Sequence, residues 1–193
     1  MKKLIFLSLV LSFILFLLFC PFFIQLVSYL HSIVLIVVVF CHFIFILFIL
    51  LLIYKKTIYI RHSLFLWIYI LYTIALLVLL FFRPNNQTYE SINLIPFSTI
   101  HYYLTGNVEW IVSFYNLAAN IGLFIPYGIL LLTKNYSVLK LLLIPILFIS
   151  FIEILQFITH RGSLDIDDLI LNVFGILIGY LLYPSFKRVF QLY

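Results

Sequence analysis

Long apolar runs broken by short polar clusters extend along the whole chain. Between Leu4 and Tyr54 there is no Lys, Arg, Asp or Glu. As one helix that stretch would be about 75 Å long at ~1.5 Å per residue, against a hydrocarbon core of ~30 Å, so it must fold back on itself. The segment "CPFFIQLVSYLHS", with Pro21, Gln25, Ser28, His31 and Ser32, offers the turn. Spans then fall near 4–24 and 33–54, and further apolar runs at 64–82, 114–132, 139–158 and 169–183 bring the number to six. The last run is short, so its helix is expected to begin among the Asp residues before it. The pattern predicts an all-α integral membrane protein of about six transmembrane helices.

Basic residues orient these spans. With the amino terminus inside, the cytoplasmic segments carry Lys2, Lys3, Lys55, Lys56, Arg61, Lys134, Lys140, Lys187 and Arg188, nine of the eleven basic residues. Only Arg83 and Arg161 fall outside, and both termini are cytoplasmic. The same map puts all six acids outside: Glu90, Glu109, Glu153, Asp165, Asp167 and Asp168. Acids weigh little in topology, so their segregation points separately to an outer face that carries the chemistry. The long outer segment from Pro84 to Ser113 holds Tyr89, Phe97, Tyr102, Tyr103 and Trp110, an aromatic belt at headgroup depth. Within it Ser98 is expected to cap a short interfacial helix, "STIHYYL". Three segments follow: 1–63 with two helices and a cytoplasmic link, 64–183 as the main membrane domain, and a basic cytoplasmic tail at 184–193.

Composition agrees with the pattern. The chain has 193 residues, 66% hydrophobic, 20% aromatic and 9% charged, against roughly 25% charged in a soluble domain. A net charge of +5 is spread in ones and twos between apolar runs, unlike the clustered basic face of a nucleic-acid binder, so no nucleic-acid partner is expected. Cys20 and Cys41 lie inside apolar runs with no C-x-x-C spacing, which argues against a metal or disulfide framework. "MKK" followed by an apolar run lacks an A-x-A-like cleavage site and is taken as a retained first span. The cell membrane is the expected location, and the bilayer itself the first partner.

The polar residues inside the spans converge. Asn116 and Asn120 lie one turn apart in the outer half of the fourth span. Glu153, Gln156 and His160 are spaced i, i+3, i+7 at the outer end of the fifth, and Asp165, Asp168 and Asn172 repeat that spacing at the start of the sixth. Gly175 and Gly179 continue the stripe as G-x-x-x-G, which lets a neighbouring helix approach closely. Arg161 is available to pair with a carboxylate or an anionic ligand. Glu153 stands out, because a carboxyl among apolar turns costs several kcal/mol unless paired, protonated or facing water; its structural alternative is a bond to Asn120 or Asn172 that locks the bundle. Asp167 points off the stripe, where an acid at a helix start favours the macrodipole, with Ser163 or Asp165 as the cap. Asp165 and Asp168 leave a divalent cation open as a cofactor, although "DIDD" is a weak metal signal and neither His101 nor His160 has zinc-like spacing.

"INLIPFSTI" at 92–100, "NLAANIGLFIPYGILL" at 116–131, "SFIEILQFI" at 150–158 and "RGSLDIDDLILNVFGILIGYLL" at 161–182 resemble the VanZ-like family of bacterial multi-pass membrane proteins. That family takes its name from a protein linked to resistance to the lipoglycopeptide teicoplanin. The resemblance covers roughly 64–183, and its motif positions include Asn93, Pro96, Phe97, Asn120, Pro126, Gly128, Glu153, Gln156, Arg161, Asp165, Asp167, Asp168, Asn172, Gly175 and Gly179. Ala119 and Tyr127 are mild departures. It carries no established catalytic residues across.

Three functions are compatible with these features. A binding or protective module would use Asn93, Asn120, Gln156, Arg161 and Asn172 to hold a lipid-linked envelope precursor or a lipoglycopeptide. A membrane enzyme would use Glu153 as general acid or base, with Asp165 and Asp168 holding a divalent ion against a lipid phosphate. A transporter would need polar residues on both sides of the midplane, and the inner halves of the spans supply none.

Overall fold

The computed structural model describes residues 2–22, 33–81 and 91–193. The expected turn around Gln25, Ser28, His31 and Ser32 therefore lies outside the described residues, as do Arg83, Tyr89 and Glu90. The described chain is mostly helical: α1 (Lys2–Leu18), α2 (Ile33–Ile53), α3 (His62–Phe81), α4 (Ser98–Leu104), α5 (Trp110–Leu132), α6 (Val138–Ile158) and α7 (Ile166–Val189). Short strands β1 (Ile58–Ile60), β2 (Ile92–Asn93), β3 (Leu164–Asp165) and β4 (Phe190–Leu192) form two parallel pairs, β1 with β4 and β2 with β3. Among the described residues four helices, α3, α5, α6 and α7, are long and apolar enough to cross a membrane.

The chain divides into two compact units, Met1–Ile60 with Ser185–Tyr193, and Arg61–Pro184. In the first, Leu4, Ile46, Leu50, Leu51 and Val189 form the core. The buried Ser8 on α1 satisfies its hydroxyl on the Ile5 carbonyl at 2.8 Å. Strand β4 continues directly from α7, its Phe190 ring stacked 6.3 Å from that of Phe48.

The second unit has a core of Leu76, Leu80, Phe124, Tyr127, Ile149, Ile152 and Ile176. Helices α5 and α7 meet backbone to backbone. A Cβ on Gly128 would overlap the Ile176 carbonyl, one on Gly175 the Ile121 carbonyl, and one on Gly179 the Ile125 carbonyl. The expected G-x-x-x-G contact is thus present, and its partner is α5.

Hydrogen bonds from tyrosines tie the helices together near their prolines. Pro145 inside α6 has no N–H, so the Leu141 carbonyl four residues earlier loses its helical donor. Tyr180 of α7 donates to that carbonyl at 2.7 Å. In α5 the carbonyl that Pro126 deprives of a donor is that of Gly122; Tyr72 and Tyr69 of α3 bond its neighbours, donating to the Leu123 carbonyl at 2.7 Å and the Pro126 carbonyl at 2.9 Å. In an apolar surrounding an unanswered carbonyl would cost several kcal/mol, so Tyr180 ties α7 to α6 at its proline, while Tyr69 and Tyr72 tie α3 to α5.

Two boundaries differ from the sequence expectation. Helix α7 runs through Pro184 to Val189 rather than stopping near 183, and α5 begins at Trp110 rather than 114. A start at Ile166 agrees with the expectation that the last helix begins among the aspartates.

Candidate functional site

The carboxy-terminal ends of α3 and α6 and the amino-terminal turns of α5 and α7 meet at one end of the second unit. Every helix end leaves backbone groups without intrahelical partners, and in an apolar setting side chains must answer them. Much of the polar cluster does this work. Gln156 of α6 donates to the Leu80 carbonyl in the last turn of α3 at 3.1 Å. Asp165 caps α7, accepting the Asp167 N–H at 2.9 Å, as expected for a helix-start acid.

Asp167 has a different role from the one its position suggested. It is fully buried, and its carboxylate accepts the backbone N–H groups of Phe97 (2.6 Å), Thr99 (2.7 Å) and Ile100 (3.1 Å). Those are the orphan donors at the start of α4. The residue preceding that helix is Phe97, with no cap from its own side chain, so the expected Ser98 cap is replaced by a carboxylate from about seventy residues away. Ser98 instead bonds the Ile95 carbonyl at 2.8 Å and the Asn93 side chain at 3.0 Å. Phe97 adopts φ 65°, a left-handed conformation costing a bulky residue about 1–3 kcal/mol. Its short bond to Asp167 offsets that cost.

Asp165 closes the same latch from the other side. Its Oδ2 accepts the Thr99 hydroxyl at 2.6 Å, and its Oδ1 accepts the Asn93 amide at 3.2 Å. Pairing of β2 with β3 sets Asn93 opposite Asp165 in register. The segment Ser91–Leu104 is thereby fastened to the start of α7.

A second polar group lies behind this latch. Asn120 of α5 donates to Asp168 Oδ1 at 2.6 Å, a short bond to a charged acceptor. Asn172 of α7 reaches Glu153 of α6 at 3.5 Å, the outer limit of a hydrogen bond. Asn120, Glu153, Gln156, Asp168 and Asn172, with Gly162 and Ser163 from the turn after α6, line a cavity of about 20 Å³. Glu153 and Asn172 are only 6% and 4% exposed. The Oδ1 of Asn172 is buried with no hydrogen-bond partner, which is uncommon enough in folded proteins to need an explanation.

The remaining candidates sit at the margins. Arg161 is half-buried in the turn that ends α6, where its N–H and that of Gly162 bond the Gln156 carbonyl at 2.8 and 3.2 Å. His160 does not continue the stripe, because α6 ends at Ile158 and His160 takes the left-handed position of a helix-ending turn, φ 53°, exposed. His101 is exposed, and Asn116 bonds the Tyr103 hydroxyl at 3.3 Å. Among the described residues no three His, Cys, Asp or Glu side chains are grouped to hold a metal ion. Sequence reasoning gave no role to Thr99 and underrated Asp167. The family-like strings at 92–100, with Asn93, Pro96 and Phe97, and at 161–182, with Asp167, were the available signal.

Apolar helices closed by tyrosine–carbonyl bonds and glycine contacts, with one polar cavity at their end, define a helical membrane protein. Residues 65–188 match the family model VanZ/LLP1, and the chain belongs to that family. It is similar to Protein VanZ of Enterococcus faecium, 34% identical over 124 residues that cover 58% of this chain and 69% of that protein. Every residue of the latch and the cavity falls within the matched region. No solved structure matches the chain.

Proposed function

We propose that the protein is a binding module of the cell membrane that engages a lipid-linked envelope precursor or a lipoglycopeptide at the outer face, and so contributes to teicoplanin resistance, as its family resemblance implies. In this reading six spans place both termini in the cytoplasm, as the lysine and arginine bias requires. A hydroxyl-sized group of the ligand's polar part enters between Asn120, Gln156 and Asn172, Arg161 stands beside it in the chain for an anionic group, and Asn93 holds the covering segment in place. The observation that carries the reading is the buried, unpartnered Asn172 Oδ1 at the wall of a polar cavity. An acceptor left open at a cavity wall offers a hydrogen bond to whatever donor group enters that cavity.

A catalytic reading is the alternative, favoured by one observation: Glu153 and Asp168 line the same small cavity, as a general acid–base pair acting on a cell-envelope lipid phosphate would require. Asp165 would then act by holding α7, since both its oxygens bond neighbours.

Wild type, Glu153→Gln, Asp168→Asn and Asn172→Leu are to be expressed at matched membrane levels in a sensitive Gram-positive host. Teicoplanin and vancomycin susceptibility and the precursor-lipid profile are then read together. The binding reading expects protection that the variants lose while the lipid profile stays constant. A lipid change that depends on Glu153 would transfer the assignment to catalysis. Wild type that neither protects nor alters a lipid would overturn both.

A further inference from the structure

Glu153 faces two cavities. On one side is the polar one described above. On the other is a larger pocket of about 170 Å³ lined by Leu94, Ile154, Leu164, Ile166 and Leu169, with Glu153 and Asp165 as its carboxylates. Leu94 comes from the segment that Asp165 and Asp167 fasten down, Glu153 and Ile154 from α6, and the rest from β3 and α7. The latch therefore builds one wall of an apolar pocket whose far wall is the carboxyl of the polar cavity.

The polar side is biased in what it offers. Each of its three amide nitrogens has one N–H on a protein acceptor, Asn120 on Asp168, Gln156 on the Leu80 carbonyl and Asn172 towards Glu153, which leaves a second N–H on each. The buried atom there with no partner at all is an acceptor, Asn172 Oδ1, and the two ionisable groups on the wall are carboxyls. A donor head entering there finds the open Asn172 acceptor together with two carboxyl groups.

We infer that the paired cavities form one site for a single-chain amphiphile, with a hydrocarbon tail against Leu94, Ile154 and Leu169 and a hydrogen-bond-donating head, hydroxyl or amine, reaching Glu153 and Asn172. This deepens the proposed binding function and rests on it. It assigns the inner contact to a donor head rather than to a phosphate, and gives the latch a purpose, since without it Leu94 has no place in the pocket wall. The tail binds by apolar burial and the head by exchange of a solvent hydrogen bond for one to Asn172.

The test uses the full chain in nanodiscs and three photoreactive probes of equal alkyl length carrying a diazirine in the tail: an alkanol, an alkylamine and an alkyl phosphate. Crosslinked residues are mapped by mass spectrometry as each probe is titrated. We expect saturable labelling of Leu94, Ile154 and Leu169 by the alkanol and the amine, at about tenfold lower concentration than the phosphate, the discrimination one net hydrogen bond supplies. Ile154→Trp fills the pocket from a position that is 47% exposed, so the fold should survive while labelling weakens by about tenfold or more for every probe. Asn172→Leu should keep tail labelling and erase the preference for donor heads. Labelling that fails to saturate, or that ranks the phosphate equal or first, would overturn the inference. These readouts are independent of cell protection: resistance without the head preference sinks only this inference, and head preference without resistance sinks only the cellular role.

Discussion

Asp167→Asn isolates what the latch contributes. The wild-type carboxylate takes three backbone N–H donors at 2.6, 2.7 and 3.1 Å from a fully buried position. Asparagine keeps one acceptor oxygen and turns the other into an amide that faces N–H groups. Whichever way it sits, one or two of the three bonds are lost and the survivors become neutral. Hydrogen bonds to a charged acceptor are worth about 1.5–3 kcal/mol each, so the latch should weaken by about 3–5 kcal/mol. That loss falls on α4, which has no buried residue of its own to hold it. The expected outcome is local opening rather than unfolding of the bundle. Hydrogen exchange read by mass spectrometry on the protein in nanodiscs should show amides 97–104 losing protection by roughly 10²-fold or more. Peptides from α5, α6 and α7 should stay within a few-fold of wild type. Unchanged exchange across 97–104 would refute the reasoning. An equal rise throughout α5–α7 would refute it too, since the carboxylate would then hold the bundle and not the loop.

Two other substitutions probe the packing. Gly175→Ala puts a methyl group into the Ile121 carbonyl; forced separation of α5 and α7 should cost about 1–3 kcal/mol or more, seen as a lower thermal midpoint in detergent. Tyr180→Phe leaves the Leu141 carbonyl beside Pro145 unanswered and should destabilise by about 1–3 kcal/mol. Adding Pro145→Ala restores the helical N–H donor, so the double variant should recover most of that loss in the same thermal assay.

The helices were readable because lipid-length apolar runs have few alternatives: the runs at 64–82 and 139–158 became α3 and α6 with ends shifted by two residues or fewer. Convergence of Asn120, Glu153, Gln156, Asp168 and Asn172 was also readable, since helical spacing fixes which residues share a face once the helices alternate in direction. The latch was not. Asp167 looked like an ordinary helix-start acid because its three partners lie 67 to 70 residues away, and nothing local in "DIDD" announces a cap given to another helix. Strands of two or three residues such as β2 and β3 carry no periodicity to read. Pro184 and the charges after it suggested an end that α7 passes through, because proline removes one hydrogen bond but does not forbid the turns that follow.

The central claim is that the polar cavity opens to the outer face. Cys20 and Cys41 are first replaced by alanine, and Ser163→Cys is introduced at the cavity wall, with Lys56→Cys as the cytoplasmic control. Intact cells are then treated with a membrane-impermeant maleimide. The account predicts that Ser163→Cys is labelled in intact cells while Lys56→Cys reacts only after permeabilisation. The reverse pattern would contradict it.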